Sequence, residues 1–373
     1  MTMRQTPRHS PPLLEARSLA KHFITQRSLL GKPKATLKAV DGVDITLKAG
    51  ETLAIVGESG CGKSTVGRLL LRLLEPTAGS VSFDGEDLSG MTETALRGKR
   101  RHFQLIFQDP FASLNPRMTV SDIIEEPLML HAIVPPKLRR ARVHELMRRV
   151  GLKPEQALRY PHEFSGGQRQ RIVIARALAG EPRLLVCDEP VSALDVSIRA
   201  QILNLLRDLQ RDLDLAMIFI SHDLAVVKHI ADRIAVMYLG RIVELATTNE
   251  LFANPKHPYT RALLSAIPVT APQAERRRVI LEGDVPSPVN PPAGCHLHTR
   301  CQFVIERCRS EVPILTMAES HATACHRTQD LPPAINLLPE EGQMDPRLQA
   351  LVARFAESGN AGKLSTTPRG EPS

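Results

Sequence analysis

A chain of 373 residues with 42% hydrophobic content is long enough for one large α/β domain plus a smaller unit. Its apolar runs, such as Leu215 to Ile220, are strand-sized, which excludes a helical membrane span, and the polar, proline-rich Met1 to Leu14 lacks the order of a secretory signal, which points to a cytosolic chain. Forty-eight Lys+Arg against 40 Asp+Glu give +8, a balance that suits nucleotides, an anionic membrane face or nucleic acid, but 3% aromatics exclude a base-stacking platform.

In chain order, Leu37 to Leu47 has a β-rich alternation, and Ala39-Val40-Asp41-Gly42-Val43 reads as a hairpin-like edge. Thr52 to Val56 is a short strand that runs into a glycine-rich loop and a leucine-rich helix ending near Leu74. Between Asp109 and Glu163 the pattern turns helical, with Val143, Leu146, Met147 and Val150 on one face of an Arg-rich segment. Leu184 to Cys187 and Ala216 to Ile220 read as buried strands, with a helix from Val196 to about Arg211 between them. Around Ala246 to Pro268 this pattern ends, and Pro286, Pro288, Pro291 and Pro292 mark a loop-rich unit. The final forty or so residues are expected to be disordered, apart from a helix over Arg347 to Glu357. The basic clusters Arg97–Arg101, Arg139–Arg149 and Arg276–Arg278 read as solvated faces near a membrane.

Three local patterns carry chemistry. Gly57-Glu-Ser-Gly-Cys-Gly-Lys63-Ser64 matches G-x-x-x-x-G-K-[ST] between strand and helix, so backbone N–H groups, the Lys63 charge and the Ser64 hydroxyl suit phosphates and Mg²⁺. Gly57, Ser59, Gly60, Cys61, Gly62, Lys63, Ser64 and Thr65 are the expected phosphate contacts. Leu184-Leu-Val-Cys-Asp188-Glu189 ends an apolar strand in two acids, Asp188 for Mg²⁺ and Glu189 for the attacking water; strand alternation would point them to opposite sides. Phe164-Ser165-Gly166-Gly167-Gln168 opens a helix whose N–H groups face an anion.

At these residues the sequence resembles the ATP-binding-cassette family, whose signature is LSGGQ, here with Phe164 in place of Leu; the resemblance covers about Leu14 to Pro268. It implies an α/β P-loop NTPase core with an antiparallel β subdomain and an α-helical subdomain, plus a small loop-rich C-terminal unit. The expected boundaries are 1–13 for a flexible N-terminus, 14–245 for the cassette with its helical part at about 109–180, 246–330 for the C-terminal domain and 331–373 for the tail. It further implies that Gln108 is the Q-loop residue sensing Mg²⁺ and the γ-phosphate, that Asp195 belongs to the D-loop, and that His222 is the switch histidine. Phe23 would stack on adenine, and Ser165, Gly166, Gly167 and Gln168 would serve the ATP of a partner cassette.

More closely, Phe111-Ala-Ser-Leu-Asn-Pro-Arg117, Arg159-Tyr-Pro-His-Glu-Phe-Ser, His257-Pro-Tyr-Thr-Arg-Ala-Leu and Gly283-Asp-Val-Pro-Ser-Pro are similar to ATPase subunits of bacterial dipeptide and oligopeptide importers. That resemblance implies the second ATPase of a heterodimer, two permeases, a periplasmic or lipid-anchored binding protein, and a peripheral place on the cytoplasmic face of the inner membrane. Glutathione, opines or nickel are other cargoes open to the same motor. A soluble cassette acting on DNA or ribosomes is the rival class, but the chain has one cassette and no heptad insertion, so nucleic acid is not an expected partner.

Cys295, Cys301, Cys308 and Cys325 form a separate group. Four thiols in a loop-rich unit suit Zn²⁺ or an iron–sulfur cluster, although no tight C-x2-C pair is present; a disulfide is disfavoured in a reducing compartment. The resemblance favours a [4Fe–4S] cluster, with zinc and unligated thiols as the alternatives.

Overall fold

The computed structural model describes residues 11–27, 33–267, 279, 281–318 and 320–334. The expected tail helix at 347–357 lies outside them. A central sheet has the order β11-β12-β10-β9-β3-β8-β7-β6, built from β3 (Thr52–Val56), β6 (Phe103–Ile106), β7 (Leu184–Asp188), β8 (Ala216–Ser221), β9 (Arg233–Tyr238), β10 (Arg241–Thr247), β11 (Thr316–Ala318) and β12 (His321–Thr323). The strands from β9 to β6 run parallel, whereas β10, β12 and β11 extend the sheet in antiparallel pairs. A second, four-stranded antiparallel sheet has the order β2-β1-β4-β5, from β1 (Leu14–Arg27), β2 (Pro33–Leu47), β4 (Ala78–Phe83) and β5 (Glu86–Asp87).

The near-continuous apolar runs of β3, β7 and β8 follow from burial on both faces. Ala54, Val56, Leu185, Cys187, Met217 and Phe219 enter one core, while Leu53, Ile55, Leu184, Val186, Ile218 and Ile220 enter the other. Helices α4 (Val120–Leu130), α5 (Pro136–Arg149), α6 (Gly166–Ala179) and α7 (Val196–Leu213) contribute to the first core; α1 (Lys63–Leu70) and the second sheet contribute to the other. The expected apolar face of the Arg-rich segment is present, since Val143, Leu146 and Met147 of α5 are buried.

The expected hairpin at 39–43 is absent: these residues lie inside β2, which pairs with β1 along its length. Asp41-Gly42 marks a bulge instead. Register slips between the pairs Leu19–Val43 and Ala20–Asp41, leaving Gly42 unpaired at φ 74°, a conformation that glycine adopts without a Cβ penalty.

Candidate functional site

The parallel strands deliver their C-terminal ends to one edge of the central sheet, where open α/β sheets place ligands. The glycine loop follows β3, Gln108 follows β6, Glu189 follows β7 and His222 follows β8. A cleft of about 460 Å³ there is lined by Phe23, Leu37, Ala39, Ser59, Gly60, Gly62, Lys63, Ser64, Thr65, Gln108, Glu189 and His222.

The loop's shape depends on glycine at a tight approach. Gly62 precedes α1 with φ 108°, and a Cβ there would sit 2.1 Å from the Ala39 carbonyl oxygen. Lys63 is 5% exposed, and its Nζ donates to the carbonyls of Gly57 and Glu58, each at 2.9 Å. Its charge is thereby held at the mouth of the loop, where a phosphate would replace these carbonyls. Cys61 is buried among the core residues behind the loop, which raises its thiol pKa.

Asp188 closes β7 and Glu189 follows it, and the two acids take different partners. Glu189 has left-handed backbone, φ 48°, just past the strand's end, and it lines the cleft. Asp188 Oδ1 accepts from Ser64 Oγ at 2.8 Å, and burial raises its carboxyl pKa even though Ser64 and Arg68 act in the opposite sense. Glu189 Oε2 accepts from Gln108 Nε2 at 3.1 Å, and its Oε1 lies 3.1 Å from His222 Nδ1. One acid therefore faces the loop serine and the other faces an amide and an imidazole, an arrangement that separates a cation-holding oxygen from a proton-accepting one.

Ser165 lies elsewhere. It caps α6 by a reciprocal pair, Gln168 N to Ser165 Oγ at 3.4 Å and Ser165 N to Gln168 Oε1 at 3.0 Å. Ser165 is exposed, Gly167 is buried, and neither they nor Gly166 and Gln168 line the cleft. A Cβ on Gly167 would meet Ile198 Cγ2 at 2.4 Å, so glycine is needed for α6 to pack against α7. Phe164, which stands where a leucine was expected, fills a core position at 3% exposure. Asp195 is exposed and precedes α7 without using its side chain as a cap.

The ABC transporter family model matches residues 40–192, and the model of the oligopeptide/dipeptide transporter C-terminal region matches residues 243–308. The oligopeptide transport ATP-binding protein AppF of Bacillus subtilis is 52% identical over 325 residues, which span 86% of this chain and 99% of that one. The chain belongs to the ATP-binding subunits of ABC transporters of the oligopeptide/dipeptide type. A probable peptide ABC transporter ATP-binding protein of Sinorhizobium fredii is 54% identical over 318 residues, 85% of this chain and 90% of that one. Among solved structures, the ATP-binding cassette MJ0796, in a dimeric post-hydrolysis state bound to ADP and Pi, matches with a TM-score of 0.57 and 28% identity, covering 63% of this chain and 98% of that one. As an ABC ATPase, the chain binds and hydrolyses ATP as a transporter subunit. Among the described residues no helix is long and apolar enough to cross a membrane.

The cysteine expectation fares differently. Burial pushes Cys295 up to about 12, and Cys308, Cys325 and Cys301 each add to that rise. Yet among the described residues no group of three or more His, Cys, Asp or Glu side chains has the arrangement to hold a metal ion. The cysteines as placed therefore do not fit an iron–sulfur cluster or a zinc ion.

Sequence reasoning missed Leu37 and Ala39, which line the cleft from β2, and Tyr259, whose Oη accepts the Glu58 N–H at 2.8 Å. Tyr259 was noticed only as part of His257-Pro-Tyr. Its complete burial is the sole further sign of a specific task, and that is visible only after folding.

Proposed function

We propose that this chain hydrolyses ATP to power peptide uptake through membrane permeases, at a site completed by a second ATPase subunit. The reading rests on one observation: Lys63, Ser64, Gln108, Glu189 and His222 meet at one cleft, while the signature at Ser165 faces solvent outside it. A cleft of this kind holds the phosphates but leaves one side for another subunit to close. The signature N-terminus of α6 supplies the matching half, with its free N–H groups suited to a γ-phosphate.

In the reaction, the loop amides and Lys63 hold the β- and γ-phosphates. Ser64 Oγ, a carboxylate oxygen of Asp188 and the Gln108 amide oxygen are hard donors that suit Mg²⁺, which commonly takes one or two protein oxygens along with phosphate oxygens. When bound, that ion neutralises charge on the transferred phosphoryl group. Glu189 accepts a proton from the attacking water as its oxygen bonds to the γ-phosphorus and the bond to the β-bridging oxygen breaks. His222 donates to a γ-phosphate oxygen, and Phe23, half-buried at the edge of the cleft, stacks on adenine. Asp195 stands at the surface that meets the second cassette.

The permease contact is assigned to a groove lined by Leu73, Phe103, Phe107, Pro127 and Arg176, next to Gln108 in sequence. Leu73 and Phe107 are 47% and 42% exposed, an apolar surface suited to a short amphipathic helix. Peptide cargo follows the function of the relatives and the match over residues 243–308. A heteromeric pair of ATPases, two permeases, a substrate-binding protein and attachment at the cytoplasmic membrane face complete the assembly. The domain limits follow the same reading: a cassette at 14–245, with a helical part at about 109–180, and a C-terminal unit at 246–330.

The experiment is co-purification of the tagged chain from its native membrane, followed by peptide uptake in proteoliposomes. Recovery of integral membrane subunits and ATP-dependent peptide accumulation are expected. Recovery with ribosomes, or uptake indifferent to ATP, would contradict the reading.

A further inference from the structure

The phosphate loop is gripped from outside by residues far along the chain. Glu58, the second residue of the loop, donates its backbone N–H to Tyr259 Oη at 2.8 Å. Its carboxylate accepts a two-pronged pair from Arg300, Nη1 to Oε2 at 3.0 Å and Nη2 to Oε1 at 3.2 Å. Arg300 Nη1 also reaches Tyr238 Oη at 3.4 Å, and the rings of Tyr238 and Tyr259 lie 4.7 Å apart. Arg300 is 8% exposed and Tyr259 is fully buried, whereas the Glu58 side chain keeps 28% of its surface.

This arrangement bears on nucleotide binding through one peptide unit. A glycine-rich loop loses much backbone freedom when it wraps a phosphate, so any contact that fixes it beforehand lowers the cost of binding. Tyr259 Oη accepts the Glu58 N–H, and the Glu58 carbonyl, with that of Gly57, receives Lys63 Nζ. The orientation of residues 57–58 therefore sets where the lysine charge waits. Bidentate Arg–carboxylate pairs add geometric specificity that a point charge does not. Because Glu58 is partly hydrated, loosening the pair costs loop order more than it costs the fold.

We propose that Arg300 and Tyr259 are positioning residues for ATP, through which the C-terminal unit pre-shapes the phosphate loop by holding Glu58. The proposal rests on the ATPase reading above. It assigns the C-terminal unit a direct effect on nucleotide affinity, in addition to its packing against the cassette.

The test uses the full-length protein and measures the Kd for Mg-ATP together with KM and kcat for hydrolysis. The variants are Arg300→Lys, which keeps the charge but loses the fork, Glu58→Gln, and Tyr259→Phe, which keeps the ring. Each is expected to raise Kd and KM roughly 5- to 10-fold with kcat changed less than about twofold, and Arg300→Lys combined with Glu58→Gln should be no worse than the more affected single variant. Unchanged Kd and KM in folded protein, or single effects that simply add, would overturn the proposal. If Arg300→Lys folds poorly, Glu58→Gln and Tyr259→Phe decide alone. A parallel Lys63→Ala variant separates the two readings. If it loses ATP binding while the clamp variants do not, only the clamp fails; if it binds ATP normally, the phosphate-loop reading fails with it.

Discussion

Glu189 and His222 face each other across the sheet edge, with Oε1 of the acid 3.1 Å from Nδ1 of the imidazole. The other carboxylate oxygen receives the Gln108 amide at 3.1 Å. The acid is 17% exposed at its side chain and the histidine 58%, so the histidine is the one free to swing toward an arriving γ-phosphate.

His222→Ala should therefore lower kcat by roughly 100- to 1000-fold, the scale seen when one donor to a developing negative charge is lost. ATP affinity should stay within a few-fold, since the loop and Lys63 are untouched. Parallel measurement of nucleotide binding and steady-state turnover checks this. A fall in affinity with kcat unchanged at saturating ATP would make His222 a ground-state contact only.

Gly167→Ala places a methyl group 2.4 Å from Ile198 Cγ2, so α6 must shift against α7 at the signature. Binding of ATP to the isolated subunit is expected to persist because Gly167 does not line the cleft. Turnover in the assembled ATPase pair should fall by about tenfold or more, as a small misplacement of a positioned group costs on that order. The companion variant Ile198→Ala, combined with Gly167→Ala, relieves the contact and should restore part of the rate.

Stability should depend on pH through His257, which caps α10 (Pro258–Ser265) by accepting the Tyr259 N–H at 3.2 Å. Burial pushes its pKa down from 6.5 to about 4; Glu244 opposes this shift and Arg261 adds to it. Between those values the unfolded chain binds a proton that the folded one refuses. The contribution is thus intact above pH 6.5 and is lost as pH falls toward about 4, with a slope up to about 1.4 kcal/mol per pH unit. His257→Asn keeps a capping oxygen and does not titrate, so denaturant unfolding of this variant should show a shallower acid slope. An identical slope would remove His257 as the source.

What the sequence made legible was local. Strand β3, the loop after it and the cap of α6 depend on residues a few positions apart, and their spacing alone carries the geometry. The left-handed backbone at Glu189 is not legible in the sequence, because alternation assumes a continuing strand and β7 ends one residue earlier. Asp41-Gly42 reads as a hairpin in the sequence and forms a bulge in the fold for a related reason: Asp-Gly favours positive φ in either setting. The Glu58–Arg300 pair spans 242 positions and has no pattern in the sequence. Phe23 was placed at the cleft by resemblance, and its position there depends on a β1 strand with several register shifts.

The most direct measurement of the central claim is ATP binding and hydrolysis by Glu189→Gln in the assembled transporter. The substitution keeps an oxygen for Gln108 and removes the charge that accepts the water proton. The account predicts near-normal Mg-ATP affinity, turnover reduced by roughly 100-fold or more, and accumulation of a closed, ATP-loaded pair of ATPase subunits. Steady-state hydrolysis near the unmodified rate would contradict it.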